Sequence, residues 1–328
     1  MNISDDPDIR TFSSAVFAIA TAPNSLEFCV GSGSERALSL WNVGSPAATR
    51  VFPDDRSAEV HCLCYSPDGS SIVSGLSDNS VVVRSVNSSR ERPIVFVGHS
   101  NSVCGLSISP DGRFVASASL DWTVKIWDIR SEKCTLTFNG FGDWAKSVLF
   151  SRDGRAVFSG SADKSIVKFE TTTGRVIWTA EEHNYGVHCL AMSVAGDVLA
   201  SGSKDSTIRI WLSDYGKCIA VCRGHTDMVS AVDFCPSNDR ILGSVSMDRT
   251  FRLWNTLDGT CLFVKENVHN GHIWCFRFTF DGQYAISASN DKTLKVWRVN
   301  GITGGREKAV GSSSPPPAAP KKGKGRQR

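Results

Sequence analysis

The stretch SASLDWTVKIWDI, residues 117–129, contains side chains that could belong either to a catalytic site or to a structural hydrogen-bond network. It contains Ser117 and Asp121, and His99 lies upstream of it. Serine, histidine and aspartate form the nucleophilic site of many hydrolases. The same three side chains can also satisfy one another's hydrogen bonds inside a structural unit. A catalytic site is built once in a chain, so the number of copies of this set distinguishes the two interpretations.

The stretch belongs to a series of seven similar segments. The other six are SERALSLWN, SDNSVVVRS, ADKSIVKFE, KDSTIRIWL, MDRTFRLWN and NDKTLKVWR. The acidic residues of the seven are Glu35, Asp78, Asp121, Asp163, Asp205, Asp248 and Asp291. They are separated by 43, 43, 42, 42, 43 and 43 residues, a spacing too regular for chance. This period predicts a repeat architecture of seven units.

Each unit holds enough alternating sequence for four short strands. In the third unit, VCGLSISPDGRFVASAS (residues 103–119) contains two alternating runs around the turn SPDG. One further strand follows the acidic residue, and another precedes the next unit. A four-stranded sheet of this size cannot bury both faces alone, whereas seven sheets packed radially can.

Composition limits the class of protein. Of the 328 residues, 41% are hydrophobic and 21% are charged, which is typical of a globular protein. No apolar run is long enough to cross a bilayer, and the acidic start MNISDDPDIR does not resemble a secretory signal. The eleven cysteines include no C-x-x-C pair. We therefore expect reduced thiols and a cytoplasmic or nuclear location, or both.

The positive charge is concentrated at one end. The net charge is +3, but residues 321–328, KKGKGRQR, carry five cations and no anion. Without them, 31 basic residues face 33 acidic ones. The Gly/Ser/Pro-rich composition before this run predicts a disordered tail over residues 301–328. We expect a flexible N-terminus over residues 1–6 and one folded domain over residues 7–300.

The units resemble WD40 repeats, and the resemblance covers roughly residues 7–300. The motifs that carry it are the glycine–histidine pairs Gly98-His99 and Gly224-His225 and the namesake pair Trp127-Asp128. Other units depart from the pattern, and the second has Arg84 in place of tryptophan. The resemblance implies an all-β fold, a seven-bladed WD40 β-propeller. It further implies that residues 7–12 complete the last blade as an N-terminal strand; the alternative is that they are disordered.

The resemblance also implies that a histidine, a strand serine, the turn aspartate and a strand tryptophan form a structural hydrogen-bond chain, here called a tetrad. The four complete tetrads are His99, Ser117, Asp121 and Trp127; His183, Ser201, Asp205 and Trp211; His225, Ser244, Asp248 and Trp254; and His269, Ser287, Asp291 and Trp297. A set that recurs four times is structural, so we predict no catalytic residue. No glycine-rich phosphate loop precedes a helix, so we expect no cofactor and no enzyme activity.

The remaining units have incomplete tetrads. The fourth has Phe141 and Phe169 at the histidine and tryptophan positions, the second has Arg56 and Arg84, and the first has Gly31 for the serine. Because their hydrogen-bond networks are incomplete, the first two units are predicted to be the least stable part of the ring.

One motif suggests a metal site. The segment HNGH, residues 269–272, has two histidines three residues apart, a spacing that can bind zinc on a helix. However, His269 precedes Asp291 by 22 residues, as His99 precedes Asp121, which makes it the tetrad histidine. No cysteine or carboxylate cluster supplies further ligands, so we predict no metal site.

The loops and strand ends at one end of the ring, here called the top face, are where this family binds partners. From their distance to the histidine and the aspartate, three positions in each unit are expected on this face. Among these positions, the only acidic residue is Glu59. The predicted partner-binding residues are Trp122, Trp144, Lys146, His188, Lys204, Met228, Met247, His272 and Trp274. Large aromatic residues favour a binding surface, although Trp122, Trp144 and Trp274 could instead fill gaps between blades.

These residues predict a non-catalytic scaffold that binds short peptide segments with apolar and acidic side chains, as a subunit of a multiprotein complex. The alternative is association with nucleic acid or ribonucleoprotein through residues 321–328. That run could equally be an import signal or a solubilising end. We expect neither a membrane partner nor a small-molecule substrate.

Overall fold

The computed structural model describes residues 2–3, 8–33, 37–53, 58–87 and 92–301. These residues form seven antiparallel sheets, here called blades. The strands of the N-terminal segment and of the first three blades are β1 (Asn2–Ile3), β2 (Asp8–Thr11), β3 (Val16–Thr21), β4 (Glu27–Ser32), β5 (Ala37–Asn42), β6 (Arg50–Pro53), β7 (Val60–Tyr65), β8 (Ser71–Leu76), β9 (Val81–Ser85), β10 (Ile94–Phe96), β11 (Val103–Ile108), β12 (Phe114–Ser119), β13 (Val124–Asp128) and β14 (Lys133–Phe138).

The strands of the last four blades are β15 (Ala145–Phe150), β16 (Ala156–Ser161), β17 (Ile166–Glu170), β18 (Val176–Ala180), β19 (Val187–Met192), β20 (Val198–Ser203), β21 (Ile208–Leu212), β22 (Lys217–Cys222), β23 (Val229–Cys235), β24 (Asn238–Ser246), β25 (Phe251–Asn255), β26 (Cys261–Lys265), β27 (Ile273–Phe278), β28 (Tyr284–Ser289) and β29 (Thr293–Asn300). Blades 1 to 6 contain four consecutive strands each, from β3 to β26. Blade 7 contains β27, β28 and β29, and the two N-terminal strands β1 and β2 both pair with the outer edge of β29.

The blades form a closed ring. The first strand of each blade contacts the first strand of the next, and β27 of blade 7 contacts β3 of blade 1. The first strands therefore surround a central channel. This confirms the predicted all-β, seven-bladed propeller.

The ring is closed by the N-terminal strand, as predicted. Asp8 pairs with Val296 and Thr11 with Thr293, so β2 lies antiparallel to β29. Arg10, which is 4% exposed, donates through Nη2 to the carbonyl of Ser45 in blade 1 at 2.8 Å. This hydrogen bond links β2, an outer strand of blade 7, to blade 1.

Parts of the predicted domain boundaries fall outside the described residues. These include residues 4–7 and the tail from residue 302 onward. At the N-terminus, Asn2–Ile3 pairs with β29, although we expected residues 1–6 to be flexible. The boundaries of residues 1–6, 7–300 and 301–328 otherwise stay predictions.

The hydrophobic core is divided into seven clusters, one between each pair of adjacent blades. The cluster between blades 7 and 1, for example, joins Leu294 and Ile286 to Phe28 and Val16. Each blade thus buries apolar side chains on both faces, which a single four-stranded sheet cannot do. The stability of every blade consequently depends on both neighbours.

The packing between blades leaves no room for a side chain at Gly160 in β16. A Cβ atom there would lie 2.6 Å from Cγ1 of Val187 in the next blade, closer than real Cβ contacts. Close contacts of this kind with the next blade also occur at Gly31, Gly75, Gly202 and Gly243, so glycine at this position allows neighbouring sheets to approach closely.

Replacing Gly160 with alanine is expected to lower the free energy of unfolding by about 2 kcal/mol, because overpacking forces the sheets apart. Urea titration measures the loss. Gly142→Ala is the matched control, since its Cβ would meet only Asp163 at 3.8 Å, an ordinary contact. Equal losses in both variants would contradict this account of blade spacing.

Candidate functional site

A buried hydrogen-bond chain joins four side chains in blade 3. His99, in the loop before β11, contacts Asp121 Oδ2 through Nδ1 at 2.7 Å and Ser117 Oγ through Nε2 at 2.8 Å. Trp127 Nε1 donates to the same Ser117 Oγ at 2.8 Å. Ser117 is 0% exposed and Trp127 is 3% exposed. The hydroxyl therefore links an imidazole and an indole away from water.

The same contacts recur in blades 5, 6 and 7. The distances from histidine Nδ1 to the carboxylate are 2.9, 2.8 and 3.2 Å, and those from Nε2 to serine Oγ are 2.7, 2.7 and 2.8 Å. The indole N–H groups donate to the serines at 2.8, 2.7 and 3.0 Å. The sets are His183, Ser201, Asp205 and Trp211; His225, Ser244, Asp248 and Trp254; and His269, Ser287, Asp291 and Trp297. The structure thus brings every member of the four sets together.

The charges of the tetrads follow from their surroundings. Burial lowers the pKa of His99, and it lowers the pKa of His269 to about 4. Burial would raise the pKa of Asp121, but the hydrogen bonds that it accepts, first from Thr123, outweigh burial and lower it. At neutral pH the imidazoles of His99 and His269 are therefore neutral and the Asp121 carboxylate is ionised. The Ser117 hydroxyl proton then points to Nε2, as in a hydrolase, but complete burial keeps any substrate from this oxygen.

Blade 4 replaces the polar chain with aromatic packing. The ring of Phe138 stacks on Phe169 with centroids 4.4 Å apart and meets Phe141 edge-on at 5.3 Å. Ser159, at the tetrad serine position, donates to the carbonyl of Ser147 at 2.8 Å instead. Apolar side chains thus replace the histidine and the tryptophan at the two ends of the hydrogen-bond chain, and Ser159 donates to a backbone carbonyl instead.

Blades 1 and 2 use other partners for the same positions. In blade 2, Arg84 Nη1 donates to Ser74 Oγ at 3.2 Å, where an indole N–H donates in the complete tetrads. In blade 1, Trp41 Nε1 donates to Ser39 Oγ at 2.8 Å. The positions Glu35 and Arg56 lie outside the described residues. Sequence reasoning missed Ser39, although residues two apart on a strand share one face and could have indicated it.

The HNGH motif does not assemble a metal site. Both ring nitrogens of His269 contact tetrad partners, and His272 is exposed. Among the described residues, no group of three or more His, Cys, Asp or Glu side chains is placed to hold a metal ion. In the part of the chain that the structure describes, no helix is long and apolar enough to cross a membrane.

The rim of the top face presents exposed aromatic side chains on three successive blades. Trp122 is 50% exposed and Trp144 is 45% exposed, and Tyr185, which sequence reasoning missed, is 58% exposed. Trp122 has φ = 71°, and the residue at the same turn position also has positive φ in five other blades: Asn79, Lys164, Ser206, Arg249 and Lys292. This backbone conformation therefore belongs to the turn of the repeat.

The mouth of the central channel holds three of the predicted residues. Lys146, His188 and Trp274 line a cavity of about 360 Å³ that receives side chains from all seven blades. The Lys146 ammonium lies 4.6 Å from the centroid of the Trp144 ring, within the range of a cation–π contact. Trp274 packs edge-on against Phe17 with centroids 6.1 Å apart. Trp274 is therefore partly a packing residue, whereas Trp144 faces solvent.

The other predicted residues lie outside this cavity. Lys204 is exposed, and Met228 and Met247 are partly buried. His272 is exposed, with Nδ1 3.3 Å from the carbonyl oxygen of Met247. The nine residues thus separate into a channel group and a rim group.

The repeats and their contacts define a class of protein. Six segments match the family described as WD domain, G-beta repeat: residues 47–85, 91–128, 132–169, 174–211, 216–255 and 259–298. The chain belongs to this family. The matched segments leave out most of blade 1, whose tetrad is incomplete.

Particular relatives share the repeats. The chain is 28% identical over 211 residues to the nuclear distribution protein PAC1 of Coccidioides posadasii, covering 55% of this chain and 44% of that protein. It is 31% identical over 262 residues to periodic tryptophan protein 2 of Arabidopsis thaliana, covering 74% of this chain and 29% of that protein. The PAC1 protein of Arthroderma otae is 26% identical over 285 residues, which cover 76% of this chain and 61% of that relative. The chain thus spans less than two thirds of the length of these curated relatives.

Proposed function

We propose that the chain is a non-catalytic interaction scaffold in a multiprotein complex, and that its top face binds short peptide segments across blades 4 to 7. The observation that supports this best is Trp144, a large aromatic ring that is exposed beside Lys146 at the mouth of the channel. Tryptophan anchors contribute most of the binding energy in many interfaces. The cations Lys146 and Lys204 favour a segment that carries acidic as well as apolar side chains.

The exposed ring of Trp122 supports the same proposal. The residues at the equivalent turn position in five other blades are not aromatic: Asn79, Lys164, Ser206, Arg249 and Lys292. Trp122 is 50% exposed and therefore offers aromatic area to a partner that the other blades do not offer at this position.

Removing the Trp144 ring is expected to reduce recovery of specific partner proteins from native extract by about tenfold or more, because an anchor residue is lost. The experiment is a pull-down with the full chain and Trp144→Ala at equal melting temperature. Tyr215→Ala is the matched control. Tyr215 is an aromatic residue that is 77% exposed, and it lies in the turn after β21, at the end of that strand away from the top face. Unchanged recovery with Trp144→Ala would overturn the proposal.

A second candidate function rests on the five cations of residues 321–328, which lie outside the described residues. They would give a salt-sensitive contact with nucleic acid or ribonucleoprotein. A chain that ends at residue 304 tests this in the same pull-down. Loss of partners only on truncation, and their release by nuclease, would transfer the function to the tail. Either function is compatible with the cytoplasm or the nucleus, and one relative bears the name nuclear distribution protein.

A further inference from the structure

The cavity at the mouth of the channel is lined by cations without anions. Lys146 and Arg277 are its charged side chains, and among the described residues no Asp or Glu lines it. Its thiols bring no negative charge, because burial raises the pKa of Cys189 to about 12 and that of Cys62 well above the ordinary value. The side chains that line the cavity therefore carry a net positive charge.

Arg277 has most of its hydrogen-bonding capacity free. A guanidinium carries five N–H donors. Among the described residues, Arg277 makes a single hydrogen bond, from Nη1 to the carbonyl of Phe276 at 3.1 Å. Asp233 lines the cavity below together with Arg277 and acts on it through space, but among the described residues it forms no hydrogen bond or ion pair with Arg277 and accepts the Phe278 amide at 2.9 Å. Arg277 also lines the cavity below, so its charge lies midway along the channel.

Two further donors border the same space. The indole N–H of Trp274 is buried and has no hydrogen-bond partner among the described residues, which is costly for a polar group. Lys146 contacts the Trp144 ring and makes no ion pair with a described carboxylate. Burial, and then the charge of Lys146, lower the pKa of His188 to about 4, so this imidazole is neutral at pH 7. The cavity thus combines two cations with a neutral imidazole and an unused N–H.

We propose that this cavity is a socket for an anionic group, and that the group is a carboxylate on the segment that docks on the top face. Charge-assisted hydrogen bonds to Lys146 and Arg277 would hold it. This inference rests on the proposed function, because the segment must reach the channel mouth past Trp144. It assigns to the partner an acidic side chain that points down the channel, with apolar neighbours on the rim.

The test uses the full chain, immobilised, and four pools of heptapeptides with random flanks and a fixed central residue: Glu, phosphoserine, Gln or Lys. The Glu pool is expected to bind at least about tenfold better than the Gln and Lys pools. Lys146→Gln is expected to remove most of this preference. Lys133→Gln is the matched control and should retain the preference, because Lys133 is an exposed lysine in β14 that does not line the cavity.

Equal binding of the four pools would overturn the inference about the cavity. It would not overturn the proposed binding of partners on the top face, because that proposal is tested separately by the loss of partners in Trp144→Ala. Retention of the Glu preference in both Lys146→Gln and Arg277→Gln would also overturn it. A phosphoserine preference over Glu would assign the socket to a phosphorylated segment instead. Inorganic phosphate is titrated alone as a probe for free small anions. If it raises the melting temperature of the parent chain but not of Lys146→Gln while the pools bind equally, the occupant is a free anion, not a segment.

Discussion

Replacing Ser201 with alanine is expected to lower the free energy of unfolding by about 3 kcal/mol. The Ser201 hydroxyl is the shared partner of His183 Nε2 at 2.7 Å and of Trp211 Nε1 at 2.8 Å. Without it, two buried polar atoms lose their partner, and each loss costs about 1–3 kcal/mol. Ser201 is 0% exposed, so water cannot easily take its place. Urea titration followed by tryptophan fluorescence and circular dichroism measures the change.

Blade 4 supplies the matched control. Ser159 holds the same position and is equally buried, but it contacts only the carbonyl of Ser147. Ser159→Ala is therefore expected to cost about 1 kcal/mol or less. Equal losses in the two variants would mean that the imidazole and the indole do not depend on the serine, and that the tetrad is not a stabilising unit.

Acidification is expected to lower the free energy of unfolding by about 4 kcal/mol between pH 7.5 and pH 5. Burial lowers the pKa of His269 and of His188 to about 4, below the ordinary value of 6.5. As the pH falls through 6.5, the unfolded chain takes up protons that the folded chain rejects, so the folded state loses stability until about pH 4. These two histidines lose about 2 kcal/mol each by pH 5, and His99 and His225 act in the same direction.

The tetrad aspartates Asp121 and Asp248 cannot cause this loss. Their pKa values are lowered in the folded state, which gives stability that disappears only as the pH falls below about 4. Urea titrations at pH 7.5, 6.5, 5.5 and 5 test the prediction. The double variant His269→Phe/Trp297→Phe reproduces the arrangement of blade 4 and should lose about 2 kcal/mol less over this range. A stability that stays level from pH 7.5 to 5.5 would show that the buried imidazoles are charged in the folded state.

The repeat spacing predicts seven four-stranded sheets packed radially, because a fixed period places equivalent residues at equivalent positions in every sheet. The resemblance to WD40 repeats then implies the propeller and a strand from residues 7–12 that completes the last blade, and the structure pairs residues 8–11 with β29. Contacts that depend on the particular neighbour were not predictable this way. Arg10 reaches the carbonyl of Ser45 only because ring closure brings blade 7 against blade 1.

The candidate site was predicted in part. The positions assigned from the histidine spacing include Lys146, His188 and Trp274, but they omit Arg277. The register of β27 against β28 shifts between Ile273 and Cys275, so alternation counted from Trp274 does not indicate that Arg277 faces the channel. Tyr185 lies outside the positions set by the distance to the histidine and the aspartate, so the spacing does not indicate it. Both residues carry the electrostatic and aromatic character that distinguishes this channel mouth.

The pairing of β2 with β29 has a consequence for how the protein is made. A ribosome synthesises Asp8–Thr11 before Thr293–Asn300. Until β29 has been made, β2 has no strand partner, and the face of blade 1 that meets blade 7 stays open to water. The final folding step must therefore follow translation of the last blade. Until then the nascent chain presents an unpaired edge and apolar surface to chaperones.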